Sequence, residues 1–464
     1  MTSIHIHALI LGIALQWLPV AVGDSPFDNP HAEIQSRSIL GCNATGCHGS
    51  NVPESKNWQR AFKIWFDQDP HAQSYTSLLS PTSVGIVSRL ANEDLKPDSK
   101  QYRDILNAKC ISCHTNENAS EKEQVLGVDC QSCHGPADAW GSEHYSSKWK
   151  ELGKDRFENT RMLNVESMVT RAQICSSCHI GEVNRTSGSD REVDHQMMAA
   201  GHPPMHFDFE SYLRRYPAHW DSENESVGLK SIIGTQRWRI GKITSMMAKL
   251  DLLSARALRS EVKSAQKGDW PELTDLSCSS CHHALGEPNW RQDRAFNSTA
   301  SLDDWFVSQL DCAVREPSTE ELNAQLTSLK RQVEQVSPDP RLVAMRASSL
   351  RHWLAAELDY MSSADEHSEA RIREKLDKRL ASVDQIRNWE SATQWYISTR
   401  VLSEGLGMES TRKPLPFFVE DPFLGTARIW KPSSDREFTT PRMFHPEMLD
   451  TYMNDLKQQL RSRP

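Results

Sequence analysis

Ten of the eleven cysteines in this 464-residue chain fall into five pairs, and a histidine directly follows each pair. Four pairs share one spacing: CISCH (Cys110, Cys113, His114), CQSCH (Cys130, Cys133, His134), CSSCH (Cys175, Cys178, His179) and a second CSSCH (Cys278, Cys281, His282). The fifth, CNATGCH, sets Cys42, Cys47 and His48 with four residues between the cysteines. Two thiols so placed can add to the two vinyl groups of one haem, and the adjacent imidazole then falls under the iron as proximal axial ligand. The implied cofactor is covalent haem c, five copies, and the implied chemistry is the movement of electrons.

The competing chemistry is zinc. Cys110, Cys113, Cys130 and Cys133 also match a zinc-ribbon spacing, with 16 residues between the pairs. The histidines decide against it. With 18 histidines in the chain, a histidine after all four CxxC pairs arises by composition with a chance of roughly 10⁻⁶, and a zinc ribbon has no use for it. The longer CNATGCH loop can still reach both vinyl groups and keeps the final Cys-His step. Cys312 is left over and reads as a small buried hydrophobe.

A haem iron with only its proximal histidine is five-coordinate, and a second histidine saturates it for electron transfer. Within the haem region the candidates for that second position are His71 (WFDQDPHA), His144 (GSEH), His195 and His202 (VDHQMMAAGHPP) and His219 (PAHW). His31, His206 and His283 stand behind them, and Met197, Met198 and Met205 are weaker alternatives. His283 cannot bind the same iron as its neighbour His282.

The elements that must position these groups follow from cofactor density. The 254 residues from Ala32 to Leu285 hold five motifs, roughly one per 50 residues, too few to build a conventional core around each cofactor. The haems themselves must form the core, against aromatics such as Trp58, Trp65, Trp140 and Trp220. The expected fold class is mainly α with long loops, because bound cofactors can order segments that would otherwise lack structure. One long helix is expected over 229–266, with Ile243, Met246, Leu250, Leu253 and Ala257 as a packing stripe. Met246 fits that stripe better than an axial position.

Beyond residue 300 the motifs stop. Ser318 and Glu321 suggest a capping box opening a helix to about Val336. Val343, Ala347, Leu350, Leu354, Leu358 and Met361 mark a second amphipathic helix. A third is expected over about 382–406, an irregular strap over 407–443, and a last helix over about 446–461. The expected division is a signal peptide at 1–23, a pentahaem cytochrome c domain at 24–295 and a helical C-terminal domain or extension at 296–464.

Residues 8–22 form a short apolar run followed by Ala21-Val22-Gly23, a small-residue cleavage pattern. The run contains Gln16 and Pro19 and is short for a membrane span. The expectation is an exported, periplasmic product without a membrane span once the leader is removed, in keeping with haem attachment outside the cytoplasm. Formal charge is −9, and five ferric haems would take it to about −14. No basic run or nucleic-acid motif is present. The partners implied are redox proteins, an electron donor and an electron acceptor, with a basic partner surface favoured. Oligomeric state is not legible.

The segments CNATGCHG, WFDQDPHA, GVDCQSCHGPADAW, CSSCHIG, VDHQMMAAGHPP with FDFESYL, PAHW, WPEL and CSSCHHAL resemble exported bacterial multihaem c-type cytochromes of the cytochrome c-554 family. The resemblance covers about residues 38–292. It implies that His71, His195 and His202 are haem ligands, with weaker support for His144. The chain departs from the pattern at Asp194, where asparagine is expected, and at Pro204-Met205-His206, where an Arg-Leu pair is commoner.

Two functions stay open at this point. One is an electron relay through mostly bis-histidine haems, and the second is an oxidoreductase acting on a small nitrogen, sulfur or oxygen species at one five-coordinate haem. The CxxCK motif that marks the catalytic haem of pentahaem nitrite reductases does not occur, so no catalytic residue is assigned and a carrier is favoured over an enzyme. An accessory subunit that docks through its C-terminal helices is a third possibility.

Overall fold

The computed structural model describes residues 39–408, apart from 117–118, 139, 154, 159, 184–189, 221–226, 262–269, 282–299, 364–367, 383–385 and 387, together with 454 and 457–458. The leader, His31, His282, His283 and almost all of the expected strap and last helix lie outside the described residues. The fold is mainly α with long connecting segments, as expected. Its sheet is a two-stranded antiparallel ribbon pairing Gly181–Glu182 with Arg191–Glu192. Among the described residues no helix is long and apolar enough to cross a membrane.

Apolar residues are distributed very unevenly along the chain. Around the first three motifs the buried clusters are small: five residues around Tyr102, four around Trp65, and three comprising Ala137, Trp140 and Trp149. None is large enough to hold a domain of this length together, which is the situation expected where prosthetic groups complete the core. A single continuous core then runs from Ala172 to Met408. Its spine is the helix Val227–Ser260, a few residues shorter than the expected span. Ile243, Met246, Leu250, Leu253 and Ala257 are all buried on it, so Met246 packs. Gly241 lets Phe209 cross closely, because a Cβ there would lie 2.3 Å from the Phe209 Cβ.

Against this spine packs the helix Pro340–Ser363, whose expected stripe from Val343 to Met361 is entirely buried. The helix Thr319–Val333 forms without the expected capping box. Ser318 has helical backbone angles, at the end of a 3₁₀ turn, and its hydroxyl donates to Glu357 Oε1 at 2.8 Å instead. The expected helix over 382–406 is two helices. Glu369–Ala381 ends at Ser382, and Trp389–Gly405 starts afresh at Asn388, whose side chain accepts from Ser391 N. Cys312 is buried in the core, as expected.

One buried cation tests the packing of this core. Lys242 donates to Trp305 O at 2.6 Å and to Gln394 Oε1 at 2.7 Å. Burial pulls its ammonium down to about 7, against the opposing carboxylates led by Asp208. The unfolded chain, with a lysine near 10.4, holds more protons between about pH 7 and 10, so folded stability rises with pH in that window. Lys242→Met removes the titration. From pH 7 to pH 9 the wild type is expected to gain roughly 2 kcal/mol more stability than Lys242→Met, measured by denaturant unfolding at each pH. Parallel pH responses would mean that this amine is solvated.

Candidate metal centres

The motifs at Cys110–His114, Cys130–His134 and Cys175–His179 are built as helical turns, which bring residues i, i+3 and i+4 to one side. Cys110 ends the helix Lys100–Lys109, and Ile111–His114 continues from it as a new turn. Cys130–His134 is a single short helix. Asp129 caps it, accepting from Gln131 N and Ser132 N, and is itself gripped by Asn116 Nδ2, 3.1 Å from both carboxylate oxygens. Gly135 ends it at φ +81°, where a Cβ would lie 2.3 Å from Arg161 O. Cys175, Cys178 and His179 occupy the last turns of Met168–His179. At the longer motif the two extra residues form a turn closed by Cys47 N–H to Ala44 O at 2.8 Å. Cys278 opens a 3₁₀ turn.

None of the eleven cysteines is joined in a disulfide. Cys113 and Cys178, from different motifs, lie within hydrogen-bond reach of each other. Burial pushes the thiols of Cys110 up to about 11 and of Cys130 and Cys175 up to about 12. Among the described residues no group of three or more His, Cys, Asp or Glu side chains is placed to hold a metal ion.

The motif histidines meet histidines from elsewhere in the chain. His48 faces His144 with ring centroids 6.2 Å apart and planes at 10°. His179 faces His71 at 5.9 Å and 80°. His134 faces His219 at 6.1 Å and 57°. His114 lies close enough to His202 for its charge to add to burial in lowering the His202 imidazole. Two imidazoles that share one metal ion, at metal–nitrogen distances of about 2.0–2.1 Å, hold their centroids roughly 6.3 Å apart. The three measured separations fit that span.

Five of the second nitrogens fit as well. A metal-ligating histidine normally donates its other N–H to a carbonyl or carboxylate, which fixes tautomer and orientation. His48 Nδ1 lies 2.8 Å from Trp58 O, His114 Nδ1 3.0 Å from Ser74 O, His144 Nδ1 3.1 Å from Gly141 O and His202 Nδ1 2.8 Å from Pro203 O. His71 Nδ1 pairs with the buried Asp69 carboxylate at 2.8 Å. Burial opposes both charges of that pair, but their mutual hydrogen bond wins, holding Asp69 below and His71 above its ordinary value. Elsewhere burial, reinforced by neighbouring histidines, keeps the rings neutral and ready to ligate: His134 falls to about 4 and His179 to about 3.

Aromatic side chains line these pairs. Trp58 stands edge-on to His48 at 5.9 Å, Trp140 to His144 at 5.4 Å and Trp220 to His219 at 5.4 Å. Trp65 packs with Phe62 and donates to Val128 O, just before the third motif. The arrangement adds residues that sequence reading passed over. Phe207 stacks on His179 at 5.1 Å, and the Arg171 guanidinium lies over Trp220 while donating to Val165 O. Asp69 had a signal in the sequence, a carboxylate two residues before His71 in an Asx turn. Phe207 and Arg171 had none.

Asp194 stands in the place of the expected asparagine. It caps His195–Ala199 by accepting from Met197 N at 2.7 Å, and it pairs with Lys109 at 3.0 Å. The backbone N–H of His195, another expected ligand, donates to Glu272 Oε1 at 3.0 Å, six residues before Cys278.

No curated protein and no solved structure was found to match the chain. Residues 42–135, which span the first three motifs and His71, match the family model for cytochrome c554 and c-prime. That match supports a c-type cytochrome, with covalently bound haem c and a role in electron transfer.

Proposed function

We propose that this protein is an exported, periplasmic pentahaem cytochrome that relays electrons between a donor protein and an acceptor protein. Cys42 and Cys47, Cys110 and Cys113, Cys130 and Cys133, Cys175 and Cys178, and Cys278 and Cys281 would hold the five haems. His48, His114, His134, His179 and His282 would be the proximal ligands. His144, His202, His219 and His71 would face the first four of these in that order. Each bound haem supplies a one-electron ferric/ferrous couple. The protein's part is to orient the imidazoles, through carbonyls and Asp69, and to keep water away with Trp140, Trp220 and Phe207.

The observation that carries this reading is the set of three ring pairs at 5.9–6.2 Å, each joining a motif histidine to a non-motif histidine. With both axial positions taken, a site has nowhere to bind a small substrate, which favours a relay over an oxidoreductase. The expected division of the chain is part of the proposal: a leader at 1–23, the haem region at 24–295 and a helical extension at 296–464.

The test is the holoprotein made in cells competent in cytochrome maturation. Haem quantitation and intact mass should give five haems, at least four of them low-spin. A count of three or fewer would overturn the assignment of the motifs. Carbon monoxide binding to several haems of the native reduced protein would overturn the relay.

A further inference from the structure

The Tyr216 ring lies 6.0 Å from that of His71 and 6.1 Å from that of His219, centroid to centroid, with planes at 49° and 62°. His71 faces His179 of the fourth motif, and His219 faces His134 of the third. Five rings therefore form one series, His179, His71, Tyr216, His219 and His134, with every step between 5.9 and 6.1 Å. Trp58, Trp140 and Phe207 stand instead against one pair each among the described residues.

Tyr216 is itself fixed from two sides. Its N–H donates to Tyr212 O at 2.9 Å, one helical turn earlier, and the Tyr212 ring lies edge-on to His179 at 5.2 Å. The pitch of such a turn, about 5.4 Å, is close to the 5.9 Å between His179 and His71, so consecutive turns set a tyrosine beside each. On the other side Trp220 stacks on Tyr216 at 5.8 Å and 17°. Arg171, from the helix that carries the fourth motif, covers Trp220 at 4.7 Å.

The two histidines depend on Tyr216 unequally. His71 Nδ1 is held by Asp69 at 2.8 Å. His219 Nδ1 is buried and has no hydrogen-bond partner among the described residues, so packing against Tyr216 and Trp220 sets the direction of that ring.

We propose that Tyr216 is a positioning residue shared by the third and fourth sites, holding the second axial imidazoles of both, His219 and His71. This rests on the haem reading given above for those two motifs. The angle between the two imidazole planes on one iron sets the g-anisotropy of a low-spin ferric haem. Those angles are 57° for His134 with His219 and 80° for His179 with His71, and Tyr216 keeps both.

The experiment uses the full-length holoprotein, with haem quantitation and electron paramagnetic resonance of the ferric form. His71→Ala and His219→Ala, each of which removes one low-spin signal, identify the two signals to be followed. In Tyr216→Leu the haem count should match the wild type and both signals should move in g-max, that of the His219 site further. Tyr216→Phe keeps the ring and should restore both. If Tyr216→Leu fails to fold, Tyr216→Met, which keeps bulk without a planar ring, carries the same expectation. Both signals unmoved in the leucine or methionine variant, or only one of them moved, would overturn the shared role of Tyr216. Haem-free Cys130 or Cys175 peptides in the wild type, seen by mass, would overturn the haem reading itself.

Discussion

Replacing His71 with alanine will turn one haem of the loaded protein from low-spin to high-spin. His71 lies opposite His179 at a ring separation of 5.9 Å, and no other histidine occupies that position among the described residues. Truncation leaves His179 as sole axial ligand, so the reduced protein should bind about one equivalent of carbon monoxide per chain, and the midpoint potential of that haem should move by something on the order of 0.1 V. The Asp69→Asn variant separates ligation from tuning. Asp69 Oδ1 holds His71 Nδ1 at 2.8 Å, and a carboxylate in that position makes the imidazole a stronger donor that favours ferric iron. The amide should keep the haem low-spin and raise its potential by tens of millivolts, on the order expected for a second-shell change. Spectroelectrochemistry reads both effects. A low-spin His71→Ala protein would remove this residue from the ligand set.

The second large effect is on stability. Glu210 is fully buried beneath the long helix Val227–Ser260, 2.7 Å from Arg237 Nε and 2.9 Å from Arg214 Nη2. Arg214 also pairs with Glu404 at 2.7 Å, which ties the C-terminal helix Trp389–Gly405 into the same cluster. Removing one partner of a buried ion pair costs about 3–5 kcal/mol, because the remaining charge is left uncompensated. The arginines here are partly exposed, so Glu210→Ala should cost roughly 3 kcal/mol. Adding Arg237→Leu should return part of that loss, since it removes one orphaned charge. Denaturant unfolding of the two variants measures this, with haem spectra expected to match the wild type. A single variant as stable as the wild type would show that Glu210 is neutral in the fold.

The motifs were legible because their spacing is itself chemistry. Two thiols and an imidazole at i, i+3 and i+4 need little beyond one helical turn. That non-motif histidines would lie near the motifs was legible, and His71, His144 and His219 do lie beside motif histidines. Their pairing was not, because it depends on how the loops close. His48 meets a histidine 96 positions later and His71 one 108 positions later. No local pattern encodes such distances.

The helical stripes show the same boundary. Val343 to Met361 repeat over five turns and were read correctly, whereas Ile372, Leu376 and Leu380 repeat only three times in a strongly charged segment and were missed. Ser318 fitted the sequence rule for a cap, but Glu357, 39 residues away, takes its hydroxyl.

The long helix Val227–Ser260 is walled on one side by Met168–His179, which carries the fourth motif, and on another by Pro340–Ser363 and Trp389–Gly405. The placement of the fourth motif and the burial of Trp238, Leu250 and Trp395 therefore draw on the same set of contacts. A polypeptide shortened to its cysteine-bearing half would bare the spine it needs to seat its own pigment. In this fold the helices without a motif brace the one that carries the fourth.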